Sequence, residues 1–223
     1  MSSVSKPIIA LNSNRGKSGK DTLIDHIEAR LDLSVLRVAF ADILKREVAS
    51  VLAHDSDIAK GIEKALHSSD KDKLFHSLAL AGLPRSPYKD WLKTQGCWLN
   101  RYAARTPRWH AQIYGTEFIR EHCNQPDRWL NLGVTAILDG LIDPNVDLVV
   151  VTDMRLPNEY EEMGRMGAKR VRIARDWYIP EVDDPTPHVS DTALDGLPFD
   201  AFITNRHGNP AAMVDQLISQ GVI

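Results

Sequence analysis

The chain of 223 residues predicts an α/β protein built on a parallel sheet, and three observations lead to that class. An apolar run, Pro7-Ile8-Ile9-Ala10-Leu11, empties into a polar loop and then into a helix whose Leu23, Ile24, Ile27 and Leu31 form one stripe. Asp147-Leu148-Val149-Val150-Val151-Thr152 is continuously apolar in its middle, the pattern of a strand buried on both faces. Strand-like and helix-like segments alternate around these two, which calls for crossover connections and ligand sites at the carboxyl ends of the strands.

Val35-Leu36-Arg37-Val38-Ala39-Phe40 reads as the second strand, and Ile43, Leu44, Glu47, Val48, Val51 and Leu52 as the helix that follows. From His54 to about Asp90 the chain turns polar, with helical spacing through Ile58, Ile62 and Leu66 and again through Leu74, Leu78 and Ala81. This stretch is expected as a helical excursion outside the sheet, broken at Gly82-Leu83-Pro84 and Ser86-Pro87. Helices are expected after Thr106-Pro107 and after Pro126-Asp127, the latter carrying Leu130, Val134, Ile137, Leu138 and Leu141. After the 147–152 strand, two short strands are expected, Arg170 to Ala174 and Ala201 to Asn205, separated by the proline-rich Tyr178 to His188. A last helix carries Met213, Val214, Leu217 and Ile218. There is no internal repeat or low-complexity tract.

The loop after the first strand holds the most chemistry: Asn12-Ser13-Asn14-Arg15-Gly16-Lys17-Ser18-Gly19-Lys20-Asp21-Thr22. A strand, a glycine-bearing polar loop and a lysine opening a helix is how backbone N–H groups surround phosphate oxygens. Gly16 and Gly19 stand where backbone must come close, and Lys20 would bridge the outer phosphates. Thr22 would offer its hydroxyl to phosphate or to magnesium-bound water. Two positions depart from Gly-x-x-x-x-Gly-Lys-[Ser/Thr]: Asn14 replaces the first glycine, and Asp21 the hydroxyl residue, which comes one position later. A surface loop rich in Gly, Ser and Lys is the alternative.

A net charge of −3 argues against general nucleic-acid binding, so anionic ligands must rely on a few placed Arg and Lys. Two cysteines, Cys97 and Cys123, are too few for a disulfide framework or a zinc site, and the eight histidines show no metal-ligand spacing. A reducing, cytoplasmic setting is expected, with neither a membrane-spanning run nor a secretion signal.

Taken in order, several motifs resemble the bacteriophage deoxynucleoside monophosphate kinases. They are Ser18-Gly19-Lys20-Asp21-Thr22; Phe40-Ala41-Asp42-Ile43-Leu44-Lys45; Thr106-Pro107-Arg108 with Gln112, Gly115-Thr116-Glu117 and Arg120; and Val151-Thr152-Asp153-Met154-Arg155-Leu156-Pro157-Asn158-Glu159. His188-x-Ser190-Asp191 and Ile203-x-Asn205 extend the likeness into the tail. The resemblance covers nearly the whole chain apart from His54 to about Lys89. It implies a three-layer P-loop NTPase fold over residues 1–223, with a helical acceptor-binding insertion at 54–145 and a lid at 175–190. The activity it implies is ATP- and Mg2+-dependent transfer of the γ-phosphoryl group to a deoxynucleoside 5′-monophosphate, for phage DNA precursor synthesis in the host cytoplasm.

On that resemblance, Asn14, Gly16, Ser18, Gly19, Lys20, Asp21 and Thr22 hold ATP, and Asn205 meets the donor adenine. Thr22 and Asp153 address the metal, Asp153 through water; a helix-capping carboxylate is the other reading of Asp153. Lys20, Asp153, Arg155 and Arg175 are the catalytic set. Asp42, Lys45, Arg108, Gln112, Thr116 and Arg120 bind the acceptor, with Arg108, Gln112 and Gly115 on one face of a helix. Arg170 and Arg172 are expected to face solvent, alternating with inward Val171 and Ile173. Trp91, Trp98, Trp109 and Trp129 either stack on the acceptor base or fill a core. The partners implied are small-molecule nucleotides, with no nucleic acid and no membrane, and a homodimer stays open. Two rivals remain: another small-molecule P-loop kinase, such as one acting on dephospho-coenzyme A, and a module that binds ATP without transferring phosphate.

Overall fold

Leu148–Val151 (β3) is buried at every position, and the pattern of four consecutive apolar residues is explained by its place between two other strands. In the computed structural model, which describes residues 6–13, 15–179 and 192–223, β3 pairs with Val35–Val38 (β2) on one side and Ile8–Asn12 (β1) on the other. Lys169–Arg175 (β4) and Ala201–Asn205 (β5) complete a five-stranded, all-parallel sheet in the order β2-β3-β1-β4-β5. The chain leaves β1 toward β2 and leaves β4 toward β5, so connections depart in opposite directions from two neighbouring strands. A crevice at their carboxyl ends is the geometric consequence.

Helices flank the sheet. Lys20–Leu31 (α1) and Ala212–Ser219 (α8) bury Leu23, Ile24, Ile27, Met213, Val214 and Leu217 against Ile9, Leu11, Leu148, Val150, Val171, Ile173, Ala201 and Ile203. Strand pairing fixes this parity: Leu11 lies opposite Val171, Val171 opposite Ala201, and Arg175 opposite Asn205, so Arg175 and Asn205 continue the α1 side of the sheet. Pro157–Arg165 (α7) lies along β4. In the part of Arg128–Ile142 (α6) from Leu132 onward, a side chain at Gly140 would come within 2.2 Å of Leu36 on β2.

The chain divides into two compact units, one running to Phe40 and resuming over Leu132–Ile223, the other Ala41–Asn131. The second is helical. It contains all but the first residue of Phe40–Leu52 (α2), then Ser56–Leu66 (α3), Pro87–Leu92 (α4), Pro107–Gln112 (α5) and the first turn of α6, with short 3-10 turns between. Its core joins Val48, Leu52, Leu66, Leu78, Leu80, Tyr88, Leu92, Tyr114, Phe118 and Trp129. Trp129 is fully buried and Trp91, Trp98 and Trp109 pack half-buried against that core, so all four tryptophans fill it.

Several expectations need correction. Leu74 to Ala81 is not one helix: Phe75 exchanges backbone hydrogen bonds with Arg105 (2.9 and 3.2 Å), which pulls it out of helical geometry and leaves short 3-10 turns at His76–Leu78 and Leu80–Gly82. Ser86-Pro87 begins α4 rather than breaking a helix, since the Ser86 hydroxyl accepts the Lys89 N–H and proline suits the first helical position. Phe40-Ala41-Asp42 opens α2 instead of ending a strand. α7 was not expected between the 147–152 strand and its successor; only Tyr160 and Met163 bury apolar surface in it, too few for a legible stripe. Arg170 and Arg172 do not face solvent: their side chains are 23% and 15% exposed, paired with Asp200 and Asp195 and laid over the rings of Tyr160 and Phe199.

After α5 the helix does not continue as α. Ile113–His122 is π-helical, with bonds such as Cys123 N–H to Phe118 O at 2.8 Å, so the α-helical face expected of Arg108, Gln112 and Gly115 holds for Arg108 and Gln112, one turn apart on α5, and does not extend to Gly115. A Cβ at Gly115 would stand 2.9 Å from the end of the Leu44 side chain on α2, which would have to shift to admit it.

The free edge of β5 is covered by two side chains. Gln216 exchanges hydrogen bonds with the backbone of Thr204 (2.8 and 2.9 Å), and Gln220 with that of Phe202 (3.2 and 3.0 Å). Glutamines one helical turn apart rise about 6 Å, close to the roughly 6.7 Å between alternate strand residues, so one helix can satisfy an edge that would otherwise template another strand. Replacing both by alanine is expected to lower stability by about 2–4 kcal/mol and to produce concentration-dependent association. Denaturation and light scattering check the two effects.

His110 is wholly buried. Its Nε2 lies 2.9 Å from the Leu78 carbonyl and so carries the proton, which leaves Nδ1 to accept from the Tyr88 hydroxyl at 3.3 Å. Burial pushes its pKa down to about 4. A depressed folded-state pKa means the neutral ring's contribution is complete above the unfolded value, about 6.5, and is lost as pH falls through about 4. Wild-type stability is expected to decline over that window, and His110→Gln to flatten the decline in a urea titration repeated across pH.

Candidate functional site

Four segments end at the carboxyl edge of the sheet unit, and their polar residues are the candidates for its chemistry. β1 ends in Asn12, which is 2% exposed. Strand parity turns Asn12 to the side away from α1, where its Nδ2 donates to the Met154 carbonyl at 2.9 Å and ties the loop after β1 to the loop after β3. Ser13 follows, also buried. Its hydroxyl donates to Arg15 O at 3.1 Å and accepts from Lys20 Nζ at 2.6 Å, so the lysine is folded back along its own loop.

The loop's tight backbone falls at Lys17 and Gly19, both left-handed, with φ of 54° and 91°. Gly19 is the residue before α1, and as the cap residue it makes no side-chain capping bond to that helix. The first N–H groups and the positive end of the helix dipole lie at this loop. Gly16, Asp21 and Thr22 are exposed, and Ser18 is buried. Asp21 sits in the first turn of α1, where a carboxylate is stabilised by the dipole, an ordinary reason for aspartate at that position. Asn14 lies outside the described residues.

After β3, Asp153 Oδ1 accepts the N–H of Phe40, the first residue of α2, at 2.9 Å. The helix-capping reading of Asp153 is thus realised in the structure. Arg155 is exposed, and its backbone is held from below: Glu159, only 5% exposed, accepts the N–H groups of Arg155 (2.7 Å) and Leu156 (3.0 Å) on a single oxygen. After β4, Arg175 Nη1 donates to Trp177 O at 2.7 Å and the guanidinium lies 5.9 Å from the Trp177 ring. After β5, Asn205 is 4% exposed, with Nδ2 donating to Ser18 O at 3.1 Å. This buries it beneath the loop.

The residues expected to bind an acceptor all lie in the helical unit. Asp42 accepts from Lys45 at 2.7 Å and has His67 Nδ1 at 3.7 Å. Arg108 is held in a bidentate pair by Asp72 at 2.6 and 3.0 Å, and that pairing keeps the Asp72 carboxyl below its ordinary value. Gln112 closes α5, while Thr116 and Arg120 lie on the π-helical segment, Thr116 exposed and Arg120 half-buried. Arg120 has no ion pair among the described residues, and its buried Nε has no hydrogen-bond partner there. Close by in sequence, Tyr114 donates to Glu47 at 2.5 Å, with Arg128 on the other oxygen at 3.0 Å; burial first and the Glu47 carboxylate second push the Tyr114 pKa well up.

The donor set fits a polyphosphate: a helix N-terminus whose cap residue Gly19 offers no side chain and is left-handed, a lysine, and a buried Ser18 hydroxyl without a hydrogen-bond partner in the described residues. Among those residues no cluster of three or more His, Cys, Asp or Glu could cage a cation. Magnesium keeps much of its water and commonly arrives with phosphates and one or two carboxylates, a role open to Asp153 and Thr22. No described helix is long and apolar enough to cross a membrane. No protein-family model matches the chain, and no curated protein is similar enough in sequence to be counted a relative.

Asn12, Ser13 and Glu159 were not singled out as site residues in the sequence. Pro157 followed two residues later by Glu159 is the signal that could have found the last, because a glutamate three residues past the cap reaches back to the cap's N–H. Glu159→Ala leaves two N–H groups without their acceptor and is expected to cost about 2–4 kcal/mol, against about 1 kcal/mol for Glu159→Gln. Urea denaturation at unchanged m-value measures both.

Proposed function

We propose that this protein is a P-loop nucleotide kinase that transfers the γ-phosphoryl group of ATP, with Mg2+, to a deoxynucleoside 5′-monophosphate. The observation that carries the reading is the loop between β1 and α1: a side-chain-free, left-handed Gly19 at the cap of α1, with Lys20 immediately after, at the carboxyl edge of a parallel sheet beside the reversal of strand connections. The choice of acceptor rests on the motif resemblance.

In this reading the backbone N–H groups at the start of α1 and the Lys20 ammonium bind the β- and γ-phosphates. Lys20 exchanges Ser13 for phosphate oxygen by rotation of its flexible stem. Arg155 and Arg175 neutralise charge as the bond from the γ-phosphorus to the bridging oxygen breaks and a bond to an acceptor phosphate oxygen forms. Magnesium, when bound with ATP, would supply further neutralisation of the β and γ oxygens. The acceptor monophosphate is already anionic, so no general base is required. In the helical unit Arg120, half-buried with a buried Nε that has no hydrogen-bond partner among the described residues, is the preferred anchor of the acceptor phosphate, and Arg108 would first have to part from Asp72.

A coupled ADP-release assay with ATP and Mg2+ tests the proposal against deoxy- and ribonucleoside monophosphates, including 5-substituted pyrimidines, with dephospho-coenzyme A as control. Turnover confined to deoxynucleotides is expected. Turnover with dephospho-coenzyme A alone, or ATP binding with no turnover, favours the rival kinase or the non-catalytic module. Lys20→Ala is expected to slow transfer about 100- to 1,000-fold with an unchanged circular dichroism spectrum, and near-normal activity would remove the lysine from the donor site.

A further inference from the structure

Asn205 is more deeply placed than a residue that reads a ligand needs to be. Pairing of Arg175 with Asn205 sets its side chain on the α1 side of the sheet, under the start of that helix. Its Nδ2 donates to the Ser18 carbonyl at 3.1 Å. It also fills the space beside Gly19, where an added Cβ would stand 2.2 Å from the same nitrogen. The position of Asn205 is itself fixed, by the β4–β5 pairing and by a backbone bond from Asp176 N–H to Asn205 O at 3.2 Å.

One peptide plane carries both the Ser18 carbonyl and the Gly19 N–H, and in a trans peptide the two point in opposite directions. A donor that holds Ser18 O down toward β5 therefore turns the Gly19 N–H up, away from Asn205. Glycine at 19 serves the same arrangement twice, through its left-handed φ of 91° and through the room it leaves for the amide.

We propose that Asn205 is a positioning residue of the phosphate loop, aiming the Gly19 N–H at a bound polyphosphate by holding the Ser18 carbonyl, rather than a contact to the nucleotide base. This rests on the reading of the loop as a polyphosphate site. It separates two roles by chemistry: a base contact matters for ATP and is irrelevant to inorganic tripolyphosphate, whereas loop geometry matters equally for both.

The test is calorimetric titration of the full chain with ATP and with inorganic tripolyphosphate, in the wild type, in Asn205→Asp, which keeps the shape but cannot donate when ionised, and in Asn205→Ser, which is too short to reach. A thermal melt without ligand accompanies each. The expected result is a loss of about tenfold or more in affinity, equal for the two ligands, in variants that remain folded. Loss for ATP alone overturns the proposal in favour of a base contact. Unchanged affinities in folded variants overturn it as well, as does failure of both variants to fold, which would make Asn205 a determinant of the fold only. A wild-type protein that binds neither ligand overturns the polyphosphate reading of the loop itself, a result seen before any variant is made.

Discussion

β1 is closed in on all sides, with β3 and β4 at its edges and helices over its faces, and this burial is the constraint on which the rest of the sheet unit depends. A strand so placed ends in polar residues that water reaches poorly, and buried polar groups are costly unless partnered. Ser13 answers that demand by bonding to its own loop and lysine, and Asn12 does so through Nδ2 to the loop after β3, while its Oδ1 has no hydrogen-bond partner among the described residues. Asn205 does the same for Ser18 from the other side of the sheet. The groups that solve a packing problem are the ones that give the loop its shape.

A second layer of support lies under the loop after β3. Glu159 spends its buried carboxylate on two N–H groups at the start of α7, and Asp153 holds the start of α2. The Asp153 bond joins the end of β3 to the start of α2, and the Glu159 bonds close the turn into α7, so the loop after β3 is braced by side chains as well as by the sheet. At the outer edge the glutamines of α8 do for β5 what a sixth strand would otherwise do. In the helical unit the arrangement differs: aromatic packing around Tyr88, Tyr114 and Phe118 supplies the core, and most of the charged residues are already paired with one another.

Much of the sheet unit was legible in the sequence, because apolar runs of strand length and stripes of helical spacing are local consequences of burial. β5 and the start of β1 fall where their residues indicate, and α1, α2 and α6 follow their stripes. The helical unit was harder. Its 3-10 turns and π-helical segment carry no period that a helix or strand template matches, and the Phe75–Arg105 pairing that breaks the middle of it joins residues far apart in sequence. α7 was missed because its sole apolar anchors are Tyr160 and Met163.

The chain's own order of residues determined an α/β protein with a glycine-lysine loop between its first strand and helix, since backbone conformation and hydrophobic period are properties of neighbours. Tertiary structure decided which polar residues act on that loop. Ser13 and Lys20 share one loop in the sequence, but their bond, and the reach of Asn12 to Met154, of Asn205 to Ser18 and of Asp72 to Arg108, depend on loop conformation, strand order, register and packing. Strand alternation says only that Asn205 and Ile203 share a face; which helix covers that face, and which carbonyl waits there, is fixed by long-range pairing that no local spacing encodes.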